Sequence, residues 1–240
     1  MNHKLNNGKR KAVKNIDDFP FPDWDLFDVQ TYLESGKRHG ASHAWFYKPE
    51  EAVSMPINTA RGCVFKCTFC HYMYWDDPYR HRSAESILEE IRFYQEKYDI
   101  QYFNFRDDLS FSNLLQVERL CDAIIESGIK IFFSASIRSD LFGRKKTPED
   151  RRIKIARKLK EAGCVSTFFS LESGSPEIIL AMNKKIKPEY FGEQIRIFRK
   201  VGLPIYTSIV LGYPQETEET IKQTFDLCFK YQIYPSIGFL

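Results

Sequence analysis

Three cysteines stand within eight residues, Cys63-Val64-Phe65-Lys66-Cys67-Thr68-Phe69-Cys70, in the spacing C-x3-C-x2-C. Thiolates are soft ligands, suited to zinc or to iron–sulfur clusters. Three on one loop can take three corners of a cubane and leave the fourth iron without a protein ligand, open to chemistry. The alternative is a closed structural zinc site, which needs four ligands. His71, next to Cys70, is a candidate fourth, but its ring would have to fold back onto the same ion, and there is no second C-x2-C pair. Cys121, Cys164 and Cys228 fall in or beside helical patterns and read as small buried apolar residues. Cysteines clustered in this way, with no apolar leader at the N-terminus, fit a protein of the reducing cytoplasm.

A parallel α/β frame is what the flanking pattern predicts to hold that loop. Residues 56–60 read as a short first strand, with Pro56 tolerated at its start. Helices are expected from Ser83, with Ile87, Ile91, Tyr94 and Tyr98 on one face, and over 113–127, 149–162, 188–201 and 216–230. Strands are expected over 101–106, 129–137, 165–171 and 204–211, with a sixth beginning at 234. Gly128, Gly163 and Gly202 each stand between a helix and an apolar strand, where a left-handed residue ends a helix. The strands scarcely alternate, as if both faces were buried. Six strands alternating with helices imply right-handed crossovers. A flat doubly wound sheet and a curved partial barrel share this periodicity. Residues 1–54 divide into a basic tail and an irregular arm around Phe19-Pro20-Phe21-Pro22-Asp23-Trp24, expected to pack on the domain surface without a clear helix or strand. The core is expected over 55–240, cut short within its sixth strand.

The 240 residues suffice for one such domain, with 43% hydrophobic and 28% charged residues. No apolar run approaches the roughly 18 residues of a membrane span. The net charge is +3, but residues 1–14 carry Lys4, Lys9, Arg10, Lys11 and Lys14 without an acid, so the rest of the chain is slightly acidic. That distribution reads as a solvated tail and argues against nucleic acid as the main partner.

The C-x3-C-x2-C loop, with the aromatic Phe69 before its last cysteine and a first strand before the loop, resembles the signature of the radical S-adenosylmethionine (SAM) superfamily. The resemblance covers about residues 54–240. It implies a partial (β/α)6 TIM-like barrel, a [4Fe–4S] cluster on Cys63, Cys67 and Cys70, and SAM on the open iron. It also implies reductive cleavage of SAM to a 5′-deoxyadenosyl radical that abstracts hydrogen from a substrate. In α/β barrels ligands sit at the C-terminal ends of the strands. Here those ends carry Arg61-Gly62, Asp107-Asp108, Arg138 and Asp140, Glu172-Ser173-Gly174 and Gly212-Tyr213-Pro214. Helix caps and turns account for some of them.

For SAM, the resemblance and the charges together suggest Asp107 or Asp108 for the ammonium and Arg138 for the carboxylate. Ser170 and Glu172 would serve the ribose. The backbone at Phe69 and at Val210-Leu211-Gly212 would serve the adenine, Gly212 allowing close approach. Where the family often has a Gly-Gly-Glu-like segment, this chain has Phe105-Arg106-Asp107-Asp108. Tyr72, Tyr74 and Trp75 follow the loop and are candidates to line the substrate side, with surface packing the equal alternative.

Several segments resemble the cobalamin-binding branch, which includes methyltransferases and an anaerobic porphyrin-ring cyclase. They are 61–71, Tyr79-Arg80-His81-Arg82-Ser83, Asp107-Asp108, Glu172-Ser173-Gly174-Ser175 and Gly212-Tyr213-Pro214-Gln215-Glu216-Thr217. A cobalamin domain normally precedes that core. Residues 1–54 leave no room for one and no D-x-H-x-x-G motif occurs, so cobalamin, if used, would come from a domain outside this chain. The expected partners are a small-molecule substrate and an electron donor such as flavodoxin or ferredoxin, with no membrane. The rival readings are a tRNA methylthiotransferase-like enzyme of the same superfamily and a non-catalytic iron–sulfur or zinc module.

Overall fold

The computed structural model describes residues 11–39, 53–70 and 78–240. Two single 3-10 turns, Ile16–Asp18 and Trp24–Leu26, lead to helix α1 (Val29–His39). Strand β1 (Ser54–Ile57) follows, then a small antiparallel pair, β2 (Ala60–Arg61) with β3 (Arg80–His81). The remaining elements alternate: α2 (Ala84–Tyr98), β4 (Tyr102–Phe105), α3 (Leu114–Ser127), β5 (Phe132–Ser136), α4 (Glu149–Glu161), β6 (Cys164–Phe168), α5 (Pro176–Ala181), α6 (Pro188–Val201), β7 (Ile205–Tyr206), β8 (Ser208–Leu211), α7 (Glu218–Lys230) and β9 (Ser236–Phe239).

The main sheet has the order β1-β4-β5-β6-β7, and every neighbouring pair is parallel. The expected fifth strand over 204–211 is split at Thr207. Its hydroxyl donates to the Phe169 carbonyl at 2.7 Å and accepts from the Leu171 amide at 3.2 Å, alongside the backbone hydrogen bond from that amide to the Ser208 carbonyl at 3.0 Å. β8 then pairs in parallel with β9, and a single bridge from Glu172 to Ile209 links it back towards β6. The result is an open arc of parallel strands, the partial TIM-like barrel expected from the sequence, with no closure of the ring among the described residues.

The strands alternate in residue type, while both faces are largely buried, as expected. Phe103, Phe105, Phe133, Ala135, Ile137, Phe169 and Leu171 belong to the apolar core. Asn104, Ser134, Ser136, Ser166 and Phe168 line a cavity on the other face. Phe105 stacks on Phe133 with ring centroids 4.7 Å apart. The helices cover the aromatic face, and Tyr102, Ser134 and Ser166 on the other face are buried as well.

Helix limits follow ordinary capping chemistry. The side chains of Ser83, Asn113 and Thr217 accept hydrogen bonds from backbone amides three residues on, at the starts of α2, α3 and α7. Gly128 and Gly202 end α3 and α6 in the left-handed region. Gly163 has a φ of +98°, and a Cβ there would lie 2.0 Å from the Ile131 carbonyl oxygen. No flexible side chain can yield that space.

The arm lies on the domain, as its aromatic residues suggested. Tyr94 Oη donates to the Pro22 carbonyl at 2.9 Å, Tyr98 Oη donates to Asp25 at 2.7 Å, and the Ser83 amide donates to Asp17 at 3.0 Å. The expectation of no helix within 19–54 fails for α1, whose Val29 and Leu33 reach the core four residues apart. Two inward apolar residues after a proline-rich stretch give too little periodicity to read. The short helix α5 was also unexpected. It starts at Pro176 and buries Ile178 and Ile179. Cys121, Cys164 and Cys228 are buried as expected, and burial pushes their thiols up.

Gly163→Ala should lower stability by about 2–4 kcal/mol in urea unfolding, because it combines a left-handed φ with a backbone clash. Gly128→Ala, where nothing lies within 4 Å of the added methyl, should cost about 1 kcal/mol.

Candidate active site

The loop that carries the three cysteines leaves β2 through Gly62, whose φ is +79°. The turn before it is fixed by Asp107. One of its carboxylate oxygens accepts from the amides of Thr59 at 2.8 Å and Ala60 at 3.0 Å, and the other accepts from the Thr59 hydroxyl at 2.6 Å. Asp107 is buried and its oxygens are taken up by this turn. Its neighbour Asp108 is exposed, and its charge reaches Cys63.

The loop is then seated on a segment that the sequence did not single out. The Thr68 amide donates to the Met182 carbonyl at 3.0 Å, and the Thr68 hydroxyl donates to the Ala181 carbonyl at 3.2 Å. Thr68 also shares a short hydrogen bond with the Tyr213 hydroxyl. Asn183 Nδ2 donates to the Lys66 carbonyl at 2.8 Å. Within the loop the Cys70 amide closes a turn onto the Cys67 carbonyl at 3.1 Å. Asn183 and Lys185 adopt φ of 51° and 55°, and Glu172 one of 65°. Backbone held in the left-handed region by residues other than glycine is a cost that the surrounding contacts must sustain.

Arg138 completes the seat. Its guanidinium carbon lies 3.3 Å from the centroid of the Phe65 ring. Its Nε and Nη2 donate to the two oxygens of Asp140 at 2.5 and 3.2 Å, and Nη2 also donates to the Lys185 carbonyl at 2.6 Å. Arg138 and Asp140 are both buried. A guanidinium stacked and bridged in this way is a rigid clamp on the cysteine loop.

Cys63, Cys67 and Cys70 are half-buried. Burial raises the Cys63 and Cys67 thiols above the ordinary cysteine value. Each is raised further by the other cysteines: Cys63 by Cys70, and Cys67 by Cys63 and Cys70. Arg138 opposes the rise at both, and Lys184 opposes it at Cys67. The three thiols therefore lie within electrostatic reach of one another, with Arg138 and Lys184 close enough to offset their charge. Among the described residues no group of three or more His, Cys, Asp and Glu is set to hold a metal ion. Those would be the ligands of a single ion, and a [4Fe–4S] cluster would take one thiolate on each of three irons. The donor chemistry fits a cluster: soft ligands, close enough to repel as anions, with cations at hand to offset the charge.

The other expected positions fall on the same rim. Glu172 is buried and accepts from Lys184 Nζ at 2.7 Å. Ser170 receives a hydrogen bond from the Ser208 hydroxyl at 2.9 Å. Phe69 is half-buried in the loop. Gly212 has a φ of 92° and donates its amide to Glu216. Of the segments tied to the cobalamin-binding branch, Arg80 and His81 form β3, and Arg82 forms a buried ion pair with Glu90. His71, Tyr72, Tyr74 and Trp75 lie outside the described residues. Residues missed in the sequence are Phe65, Thr68 and Lys184. The run Asn183-Lys184-Lys185 after a short apolar helix was a faint signal, since Asn tolerates a left-handed turn.

The model of the family described as the Radical SAM superfamily matches residues 57–228. This chain belongs to the radical SAM superfamily. Membership implies a [4Fe–4S] cluster and SAM, and the cysteines of the C-x3-C-x2-C loop are present. The chain is 28% identical over 229 residues to an uncharacterised methyltransferase of Pyrococcus horikoshii, covering 95% of this chain and 45% of that protein. It is 24% identical to the anaerobic magnesium-protoporphyrin IX monomethyl ester cyclase of Cereibacter sphaeroides, covering 92% of this chain and 33% of that one. This radical SAM chain thus spans less than half the length of these curated relatives. Among solved structures, the cobalamin-dependent SAM radical enzyme OxsB, with aqua-cobalamin and SAM bound, superposes with a TM-score of 0.64 at 19% identity, covering 72% of this chain and 26% of that one. That likeness shows the fold. No helix among the described residues is long and apolar enough to cross a membrane.

In the metal-free radical SAM chain, alkylation of Cys63 and Cys67 by iodoacetamide should require a pH above the ordinary cysteine range, about 8.5. Lys184→Met removes a cation that stabilises the Cys67 thiolate. Residue-resolved mass spectrometry should then show the Cys67 profile moved to still higher pH, and by more than that of Cys63.

Proposed function

We propose that this chain is the catalytic core of an enzyme that holds a [4Fe–4S] cluster on Cys63, Cys67 and Cys70 and cleaves SAM reductively to abstract hydrogen from a small-molecule substrate. The observation that carries this reading is the seating of the cysteine loop at the C-terminal rim of the open barrel by Thr68, Asn183 and Arg138. When bound there, the cluster and SAM would supply one-electron cleavage of a carbon–sulfur bond.

The chain's own groups orient and shield. Arg138 is a positioning residue: Asp140, the Lys185 carbonyl and the Phe65 ring occupy its guanidinium. This weighs against it as the partner of the SAM carboxylate. Asp108 suits the SAM ammonium better than Asp107, whose oxygens are committed to the 58–60 turn. Ser170 and Glu172, at the end of β6, suit the ribose hydroxyls, and the backbone at Phe69 and Gly212 suits the adenine. Lys184 holds Glu172 in place and steadies the Cys67 thiolate. Electrons would come from a flavodoxin- or ferredoxin-type donor. Six unpaired cysteines, three of them buried, suit a reducing cytoplasm. The sequence contains no D-x-H-x-x-G motif for cobalamin. Methyl transfer and ring closure are the reactions named for the curated relatives, and both are open to this core.

Anaerobic reconstitution with iron and sulfide, followed by dithionite and SAM, should yield 5′-deoxyadenosine and methionine by liquid chromatography. Cys67→Ala should abolish both the product and the iron–sulfur absorbance. A wild-type chain that assembles a normal cluster but makes no 5′-deoxyadenosine would overturn the reading.

A further inference from the structure

Exposed cations gather beside the cysteine loop. Lys66 stands in the loop itself, between Cys63 and Cys67. Arg144, Lys145 and Lys146 follow β5, and Lys185 and Lys187 lie between α5 and α6. The fold ties these three segments together. Asn183 Nδ2 donates to the Lys66 carbonyl at 2.8 Å, and Arg138 Nη2 donates to the Lys185 carbonyl at 2.6 Å. The backbone at Gly143 packs so closely on Tyr190 that a Cβ there would lie 1.8 Å from the Tyr190 carbonyl oxygen. Segments 141–148 and 182–188 contain no acid. Asp140 is buried and held by Arg138 and Arg144. The next acids, Glu149, Asp150 and Glu189, stand in the first turns of α4 and α6.

Lysines on the outer helices are neutralised locally, as Lys97 is by Asp25 and Lys222 by Asp226. Lys145, Lys146 and Lys185 make no ion pair among the described residues. Beyond residue 14 the chain as a whole is slightly acidic, so positive charge is concentrated at this edge. A charged patch of this kind speeds the arrival of an oppositely charged partner and sets its register. The patch also covers the outside of the cysteine loop. Val64, Lys66 and Thr68 are exposed, while Cys63, Cys67 and Cys70 are half-buried between them. A body resting on Lys66 would touch the backbone that joins two of the thiols. Redox encounters use small contacts, below about 1,200 Å², and three short segments can supply one.

A nucleic acid is the other polyanion to weigh. Single strands are held by aromatic faces interleaved with cations. Here the Phe65 ring is taken up by Arg138 and the Tyr190 ring by Lys187. No aromatic residue of these segments is among the exposed large side chains. The patch therefore suits a folded acidic protein better.

Resting on the SAM-cleaving reading above, we propose that Lys66, Arg144, Lys145, Lys146, Lys185 and Lys187 form the docking surface for an acidic one-electron carrier protein of the flavodoxin or ferredoxin type. The carrier is oxidised by one electron and the cluster is reduced by one. No bond forms or breaks in that step.

The test uses the anaerobically reconstituted chain with SAM, reads 5′-deoxyadenosine, and compares reduced flavodoxin with dithionite, a small reductant that needs no docking. One variant carries Lys145→Glu, Lys146→Glu and Lys187→Glu together. Its flavodoxin KM should rise about tenfold or more at low salt, with the dithionite-driven rate unchanged. Arg92→Glu, exposed on α2, should change neither. In the wild type, raising salt from about 50 to about 300 mM should raise the flavodoxin KM in the same direction. Carbodiimide coupling of flavodoxin carboxylates to the wild-type chain reads docking without a variant and without turnover. Mass spectrometry should place the cross-links on Lys66, Lys145, Lys146, Lys185 or Lys187. Cross-links elsewhere, a flavodoxin KM that ignores both salt and charge reversal, or equal losses with both reductants would overturn the proposal. So would binding of bulk tRNA that the triple variant loses while its flavodoxin KM holds, which would assign the patch to nucleic acid. No 5′-deoxyadenosine with dithionite would sink the SAM-cleaving reading, and the cross-links would still decide the docking surface.

Discussion

Arg138 lies at the C-terminal end of β5, buried, with a carboxylate on one edge, a carbonyl beside it and an aromatic ring against its face. Its own carbonyl accepts from Gln194 of α6, and Gln194 in turn accepts from the Phe142 amide. Asp140 also receives Arg144 at 2.9 Å. One cation thus joins a strand end, the cysteine loop, the segment after α5 and, through its backbone, a covering helix. Removing it would leave the Asp140 carboxylate buried with a single, partly exposed partner, and breaking a buried pair in this way costs about 3–5 kcal/mol. The cysteine loop has no ladder of its own, so it inherits its rigidity from this cation and from Thr68 and Asn183.

The same strands present two different solvents. Along β4, Phe103 and Phe105 face the helices, while Tyr102 and Asn104 face the inside of the arc. Along β5, Phe133 and Ala135 alternate with Ser134 and Ser136. The outer face supplies the cohesion of the domain through apolar burial, and the inner face is free to carry polarity because the open arc does not have to fill itself with side chains.

Much of this was legible in the sequence, for reasons that differ by residue. Cys63, Cys67 and Cys70 could be read because ligands on one short loop keep their spacing in the chain itself. The strand-to-helix frame could be read from Gly128, Gly163 and Gly202, whose backbone requirement is local. The roles of Asp107 and Arg138 could not. A charged residue at a strand end serves a ligand or a neighbouring turn equally well, and only the fold shows that Asp107 turns back to Thr59 and that Arg138 meets Phe65. Lys184 and Asn183 were hidden because the segment between α5 and α6 has no period. The break at Thr207 was hidden because 204–211 reads as one continuous apolar run with a hydroxyl inside it. The inner-face alternation was visible in Phe103-Asn104-Phe105 and Phe133-Ser134-Ala135, yet was masked by the density of aromatic residues on both sides of it.

The contacts described above that seat the cysteine loop are made by Thr68, Asn183, Phe65 and Arg138. Iron–sulfur clusters are lost to oxygen, and for many proteins that loss ends the life of the chain. Here the cradle is built from parts that do not depend on iron, so damage and repair become separable from synthesis and degradation. A chain stripped of its metal would keep the shape of its vacancy, and an assembly system would meet a prepared receptacle in place of a collapsed strand of cysteines.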